Sequence, residues 1–140
     1  MSVYLDASVL VALFTDDPFT NRADSFLRVN SSVLIVSDFA AAEFASVIAR
    51  HVRTADITPE DARIAFSTFD AWTARAAQRS EIKAADVTAA EAFLRRLDLT
   101  LRTPDALNIA IAQRLGATLF TFDEKMILAA RALGTPVAAA

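Results

Sequence analysis

The stretch Val3-Tyr4-Leu5-Asp6-Ala7-Ser8-Val9-Leu10-Val11-Ala12-Leu13-Phe14 decides the fold. Its first three residues form a short apolar run that ends on a carboxylate, and they read as a buried strand. A helix follows over residues 9–14. A strand that hands over directly to a helix is the unit from which parallel sheets are built.

The alternation continues outward from this stretch. Asp17-Pro18 is a break, and residues 20–27 carry helical spacing, with Ala23, Phe26 and Leu27 on one face. Val33-Leu34-Ile35-Val36 is a second strand, rich in β-branched residues and bounded by Ser32 and Ser37. A long helix is expected over roughly 39–52. Thr58-Pro59-Glu60-Asp61 combines an N-cap threonine, a proline at the first helical position and early acids, and so opens a helix to about residue 77. The pattern fades between 79 and 86, where a short strand around 81–83 is expected. Thr88 caps a further helix to about 97. Thr103-Pro104-Asp105 repeats the start signal, and the helix it opens stops at Gly116. A strand over 118–122, a helix over 124–133 closed by Gly134, and a short last strand at Pro136-Val137 complete the reading. Short apolar strands between helices predict an α/β domain with a parallel sheet. A length of 140 residues fits one compact domain, 1–140.

Composition removes several kinds of chemistry. There is no cysteine, which excludes disulfides, zinc fingers, iron–sulfur clusters and thiol catalysis. Two glycines are too few for a glycine-rich phosphate loop, and a single histidine, His51, excludes multi-histidine zinc sites and histidine triads within this chain. The net charge is only −3 with no Lys/Arg block, so any nucleic-acid binding comes from a local patch. Hydrophobic residues make up 54% of the chain, enough for a core with apolar surface left for a partner. The amino end lacks the basic start of a signal peptide, and no apolar run reaches the ~18 residues of a membrane helix. A cytoplasmic protein without membrane contact is expected.

Four carboxylates stand out. Asp6 and Asp123 each sit where a strand ends, on the edge of an open α/β sheet where ligands bind. Each also reads as an N-cap, since a helix follows both. Glu43 lies on a mainly apolar helix face, with Phe39 and Ala40 one turn back and Ser46 and Val47 one turn on. A carboxylate buried there requires a partner or a metal. Asp105 sits in the first turn of its helix, where a negative charge favours the positive dipole end. Four such groups drawn together repel: at about 5 Å and an effective dielectric near 20 each pair costs roughly 3 kcal/mol. A hard divalent cation resolves this, and all-oxygen ligands favour Mg²⁺ or Mn²⁺.

The segments YLDAS with Asp6, AAAEF with Glu43, LRTPDALNIAIA with Asp105 and TFDEKM with Asp123 occur in the order and at the positions of a known family. Over nearly its whole length the chain resembles the PIN-domain nucleases, and specifically the short VapC-type toxins of bacterial toxin–antitoxin pairs. The resemblance implies that Asp6, Glu43, Asp105 and Asp123 form a catalytic metal site, supported by Ser8 and Thr121. It also implies that Arg102, at a basic position before the third acid, contacts RNA. One departure is Asn108, where many relatives carry histidine. The implied architecture is a central sheet of four or five parallel strands with helices on both faces. The implied partners are an RNA substrate, a second copy of the chain in a homodimer, and an antitoxin that blocks the site.

The expected function is therefore Mg²⁺- or Mn²⁺-dependent endoribonuclease, with either Glu43 or Asp105 orienting the attacking water. Two rivals are a catalytically inactive PIN-like binding domain and an aspartate-based phosphatase; the latter wants a second acid close to Asp6, which Ala7-Ser8 does not supply. His51, between Arg50 and Arg53 near a helix end, reads as a surface position favoured by the helix dipole. Arg95-Arg96 reads as a solvated helix face. Phe66, Phe69 and Trp72 are spaced as core or dimer-contact residues.

Overall fold

The computed structural model describes residues 1–138. Four parallel strands form one sheet: β1 (Ser2–Leu5), β2 (Val33–Ser37), β3 (Gln78–Ser80) and β4 (Thr118–Phe120), in the order β3-β2-β1-β4. β1 is central, with Tyr4 level with Ile35 on one side and Leu119 on the other. The expected last strand at Pro136-Val137 is present as a single parallel bridge from Val137 to Leu119.

Among the described residues there are seven helices: α1 (Ala7–Phe14), α2 (Thr20–Val29), α3 (Asp38–Arg53), α4 (Pro59–Ala76), α5 (Ala84–Leu94), α6 (Thr103–Arg114) and α7 (Glu124–Ala132). Side-chain alternation along β1 divides the core. Val3 and Leu5 join Val9, Phe44, Ile48 and Phe69, from α1, α3 and α4, on one face. Tyr4 joins Ile109, Met126 and Ala129, from α6 and α7, on the other. α5 adds an outer layer on α6 through Ala90, Ala106, Leu107 and Ala110. Phe66, Phe69 and Trp72 are core residues as expected, packing edge-on or tilted against Phe14 and Phe44.

The chain runs β1, β2, β3 in one direction and then returns to place β4 on the far side of β1. The order reverses between β1 and β4, so a crevice opens beyond their carboxyl ends.

Residues 78–97 depart from expectation. The strand is Gln78–Ser80, not 81–83; it is polar because it is a short edge strand, and so lacks an apolar signal. α5 starts after Lys83, and Thr88 is inside it, its hydroxyl donating to the Ala84 carbonyl. The helix ends at Leu94, and Leu97 takes a left-handed φ of 68°. What orders this region is distant in sequence. Arg114 donates to both oxygens of Asp86, at 2.7 and 3.0 Å, and to the Glu81 carbonyl, while Asp86 accepts from the Lys83 N–H. Burial alone would raise the Asp86 pKa; the bonds from Arg114 and Lys83 and their charges outweigh it and hold the carboxyl below its ordinary range.

Arg114→Ala should strand that buried carboxylate and cost about 2–4 kcal/mol, whereas Arg95→Ala, from the exposed pair with Glu91, should cost under about 1 kcal/mol. Urea denaturation at neutral pH compares them. Because the folded pKa of Asp86 is depressed, its contribution is present at neutral pH and is lost as pH falls through the acid range.

Candidate metal centre and nucleic-acid cleft

The crevice is a cleft of about 430 Å³, and Asp6, Glu43, Asp105 and Asp123 all line it. Asp6 follows β1 and caps α1: its Oδ1 accepts from the Val9 N–H at 3.3 Å and the Ser8 hydroxyl at 2.6 Å. Its Oδ2 accepts from the Thr121 hydroxyl at 2.7 Å. Asp123 follows β4 and caps α7, accepting from the N–H groups of Lys125 and Met126. Asp105 is the third residue of α6 and accepts from the backbone and guanidinium of Arg102. Three helix amino ends thus bring their partial positive charge to one cleft. The cap and site readings of Asp6 and Asp123 are compatible, since one carboxylate position serves both.

Glu43 projects from the middle of α3, half-buried, and Asn108 Nδ2 donates to its Oε1 at 2.7 Å. Asn108 is fully buried. Its Oδ1 accepts from the Tyr4 hydroxyl at 2.6 Å, and that hydroxyl is 2.6 Å from Ser37 Oγ, the N-cap of α3. The partner required by a carboxylate on an apolar helix face is therefore a polar line running from the centre of the sheet. Tyr4 and Ser37 were not found by reading the sequence, although the strand alternation that turns Tyr4 to the α6 side was available. Burial pushes the Tyr4 hydroxyl pKa upward.

Three basic side chains line the same cleft: Arg102, Arg50 and His51. His51 lies in the last turn of α3, as expected, and its half-buried side chain lines the cleft wall. The signal was helical period, since Val47, Arg50 and His51 follow Glu43 by four, seven and eight residues. Arg95 and Arg96 are exposed, as expected, but lie at and just beyond the C-cap of α5 and not on a helix face; Arg95 pairs with Glu91 and Arg96 with Asp98.

Burial pushes the Asp6 pKa up to about 6 against the bonds from Ser8, Thr121 and Val9, and the charge of Asp123 adds to the rise. Burial pushes Glu43 to about 7 against the Asn108 bond; Asp6 and Asp105 raise it further, and Arg102 opposes. Among the described residues, no three Asp, Glu or His side chains are gathered into a ready metal cage. The donor set still fits a hard cation: it is all oxygen, it is crowded with like charge, and Mg²⁺ is usually held by one or two carboxylates with water filling its shell.

An acid-lined cleft beyond β1 and β4 of a parallel α/β sheet is the site plan of a PIN-like protein. The PIN-domain profile matches residues 3–132, and the chain belongs to that family. Among solved structures it is similar to the Mycobacterium tuberculosis toxin VapC20, a sarcin–ricin loop cleaving toxin. Identity to it is 18%, with 91% of this chain and 94% of that chain covered, at a TM-score of 0.74. It is also similar to Rickettsia felis VapBC2 bound to a promoter DNA fragment (15% identity, 99% and 98% covered, TM-score 0.72). A third is the Neisseria gonorrhoeae FitAcB structure (15%, 98% and 96%, TM-score 0.66). No curated protein sequence matches the chain. No helix among the described residues is long and apolar enough to cross a membrane.

The two raised pKa values give a pH dependence. An acid whose folded pKa lies above its unfolded value stabilises the fold below the unfolded pKa, and that contribution is lost as pH rises through the folded one. In EDTA, the melting temperature should therefore rise as pH falls from 8 to 5, and Asp6→Asn should flatten part of the rise. A wild-type profile that falls steadily over that window contradicts the assignment.

Proposed function

We propose that this chain is a Mg²⁺- or Mn²⁺-dependent endoribonuclease, a single nuclease domain acting as the toxin of a type II toxin–antitoxin module. One observation carries the reading: four carboxylates from four separate elements line one cleft at the switch point of a PIN fold. Likeness to a toxin that cleaves the sarcin–ricin loop supports RNA as the substrate, and likeness to VapBC assemblies supports an antitoxin partner.

In this reading Asp6 and Asp123, with Glu43 and Asp105, hold the cation. A divalent cation held there would supply charge neutralisation at the scissile phosphate and a lowered pKa for a water. The residues of the chain do the rest. Ser8 and Thr121 fix both oxygens of Asp6, leaving it one orientation. Asn108 fixes Glu43, and either Glu43 or Asp105 orients the attacking water. Arg102, with its side chain exposed at the rim beside Asp105, meets a phosphate of the strand. The RNA 2′-hydroxyl takes no part.

With Mn²⁺ the protein should cut RNA to leave 5′-phosphate ends, and Asp6→Asn should lower the rate on the order of 1000-fold. Mass spectrometry of the products checks the chemistry; 2′,3′-cyclic phosphates would exclude it. Ile64 on α4, Val87 on α5 and Leu128 on α7 are exposed apolar side chains. Light scattering should report a dimer at micromolar concentration, and a strict monomer would remove that part of the reading.

A further inference from the structure

The cleft has a wall that the metal chemistry does not use. Phe19 and Phe122 both line it, and their rings stack in parallel, 4.6 Å between centroids and 10° between planes. Phe122 is the residue before Asp123. Its ring packs edge-on against Phe120, which is fully buried and packs in turn on Phe26. Its backbone N–H donates to Ser8 Oγ at 3.0 Å, and the same hydroxyl donates to Asp6. Phe19, on the loop before α2, is the outermost ring of this series and is 37% exposed. Its own N–H is held by Asp17 Oδ1 at 2.9 Å. Arg22 lies 5.4 Å from one ring centroid and 5.3 Å from the other. Near-equal distances to the two centroids place the guanidinium against both rings at once.

We infer that Phe19, backed by Phe122 and flanked by Arg22, is a stacking subsite for one unpaired nucleobase of the RNA strand whose phosphate lies at the four acids. The inference rests on the nuclease reading and adds a specificity element to it. Single-stranded nucleic acids are held by aromatic faces next to cationic side chains. Here the aromatic face shares a cleft with Arg50, His51 and Arg102. The hydroxyl that orients Asp6 also pins the backbone of Phe122. The distance between stacked base and acid cluster is therefore set by one short network, as registering a base against the scissile bond requires. Because every base presents a π face, the subsite favours unpaired over paired nucleotides and larger rings over smaller ones. A protein partner's apolar side chain could meet the same ring, but it would have no need of the adjacent cations.

Fluorescence anisotropy in Ca²⁺ tests this with two probes: a fluorescein-labelled single-stranded RNA 12-mer of mixed sequence, and the same backbone with its bases replaced by hydrogen. Phe19→Ala should weaken binding of the intact strand by about 10- to 100-fold and leave the baseless strand unchanged. Phe19→Leu keeps apolar volume without a π face and should behave like Phe19→Ala, while Phe19→Trp should bind the intact strand at least as tightly as wild type. Intact-strand binding unaffected by Phe19→Leu overturns the subsite. So does equal weakening of both strands, or a wild type that binds neither. A Mn²⁺ arm keeps the two readings apart: cleavage that ignores Phe19 removes the subsite alone, whereas Phe19-dependent binding without cleavage removes the nuclease reading alone.

Discussion

The carboxylate of Asp6 is the point on which the site depends. It is buried at the end of the central strand, and the hydrogen bonds it accepts tie that end to the helix that follows and to the segment leaving β4. Val9 and Ser8 belong to the helix that follows; Thr121 belongs to the segment leaving β4. The Asp6 N–H also donates to the Phe120 carbonyl, closing the same junction through the backbone. Thr121 Oγ1 in turn accepts from the Asp123 N–H. One carboxylate thus registers β1, α1 and β4, and the backbone that carries the second acid is tied to the same two hydroxyls, Phe122 N–H to Ser8 and Asp123 N–H to Thr121.

A cleft built this way stores electrostatic tension. Four acids converge in partly buried surroundings, and the amino ends of α1, α6 and α7 offset only part of their repulsion. Burial and mutual repulsion hold Asp6 and Glu43 at pKa values well above those of free carboxylic acids. A site in that condition gains from any divalent cation that binds it. Asp6 and Asp123 cap helices and at the same time line the cleft.

The α/β class, the strand that ends on Asp6 and the helix starts at Thr58 and Thr103-Pro104 were legible because they are local signals: apolar runs, caps and prolines. Even there the cap of α6 proved to be Arg102, with Thr103 as its first residue. The four acids could be picked out one by one from local patterns; that they come together was implied by the family resemblance alone, because strand order leaves no local signal. Residues 78–97 were misread because their order comes from Asp86 and Arg114, 28 positions apart. The Tyr4–Asn108–Glu43 line was hidden for the same reason: it joins β1, α6 and α3, and no spacing in the sequence links them. Phe19 and Phe122 carry no signal in the sequence that links them; the fold stacks one on the other.

The central claim is that these carboxylates are a cation site and not merely three helix-end acids beside a half-buried glutamate. Melting curves of wild type and Asp6→Asn, each in EDTA and in millimolar Mn²⁺, test it most directly. A cation present at 100 times its dissociation constant stabilises the native state by about 2.7 kcal/mol, a rise of roughly 5–10 °C for a chain of this size. Wild type should show that rise and Asp6→Asn should lose most of it, while remaining close to wild type in EDTA. A wild-type melting temperature that is the same with and without Mn²⁺ would contradict the account.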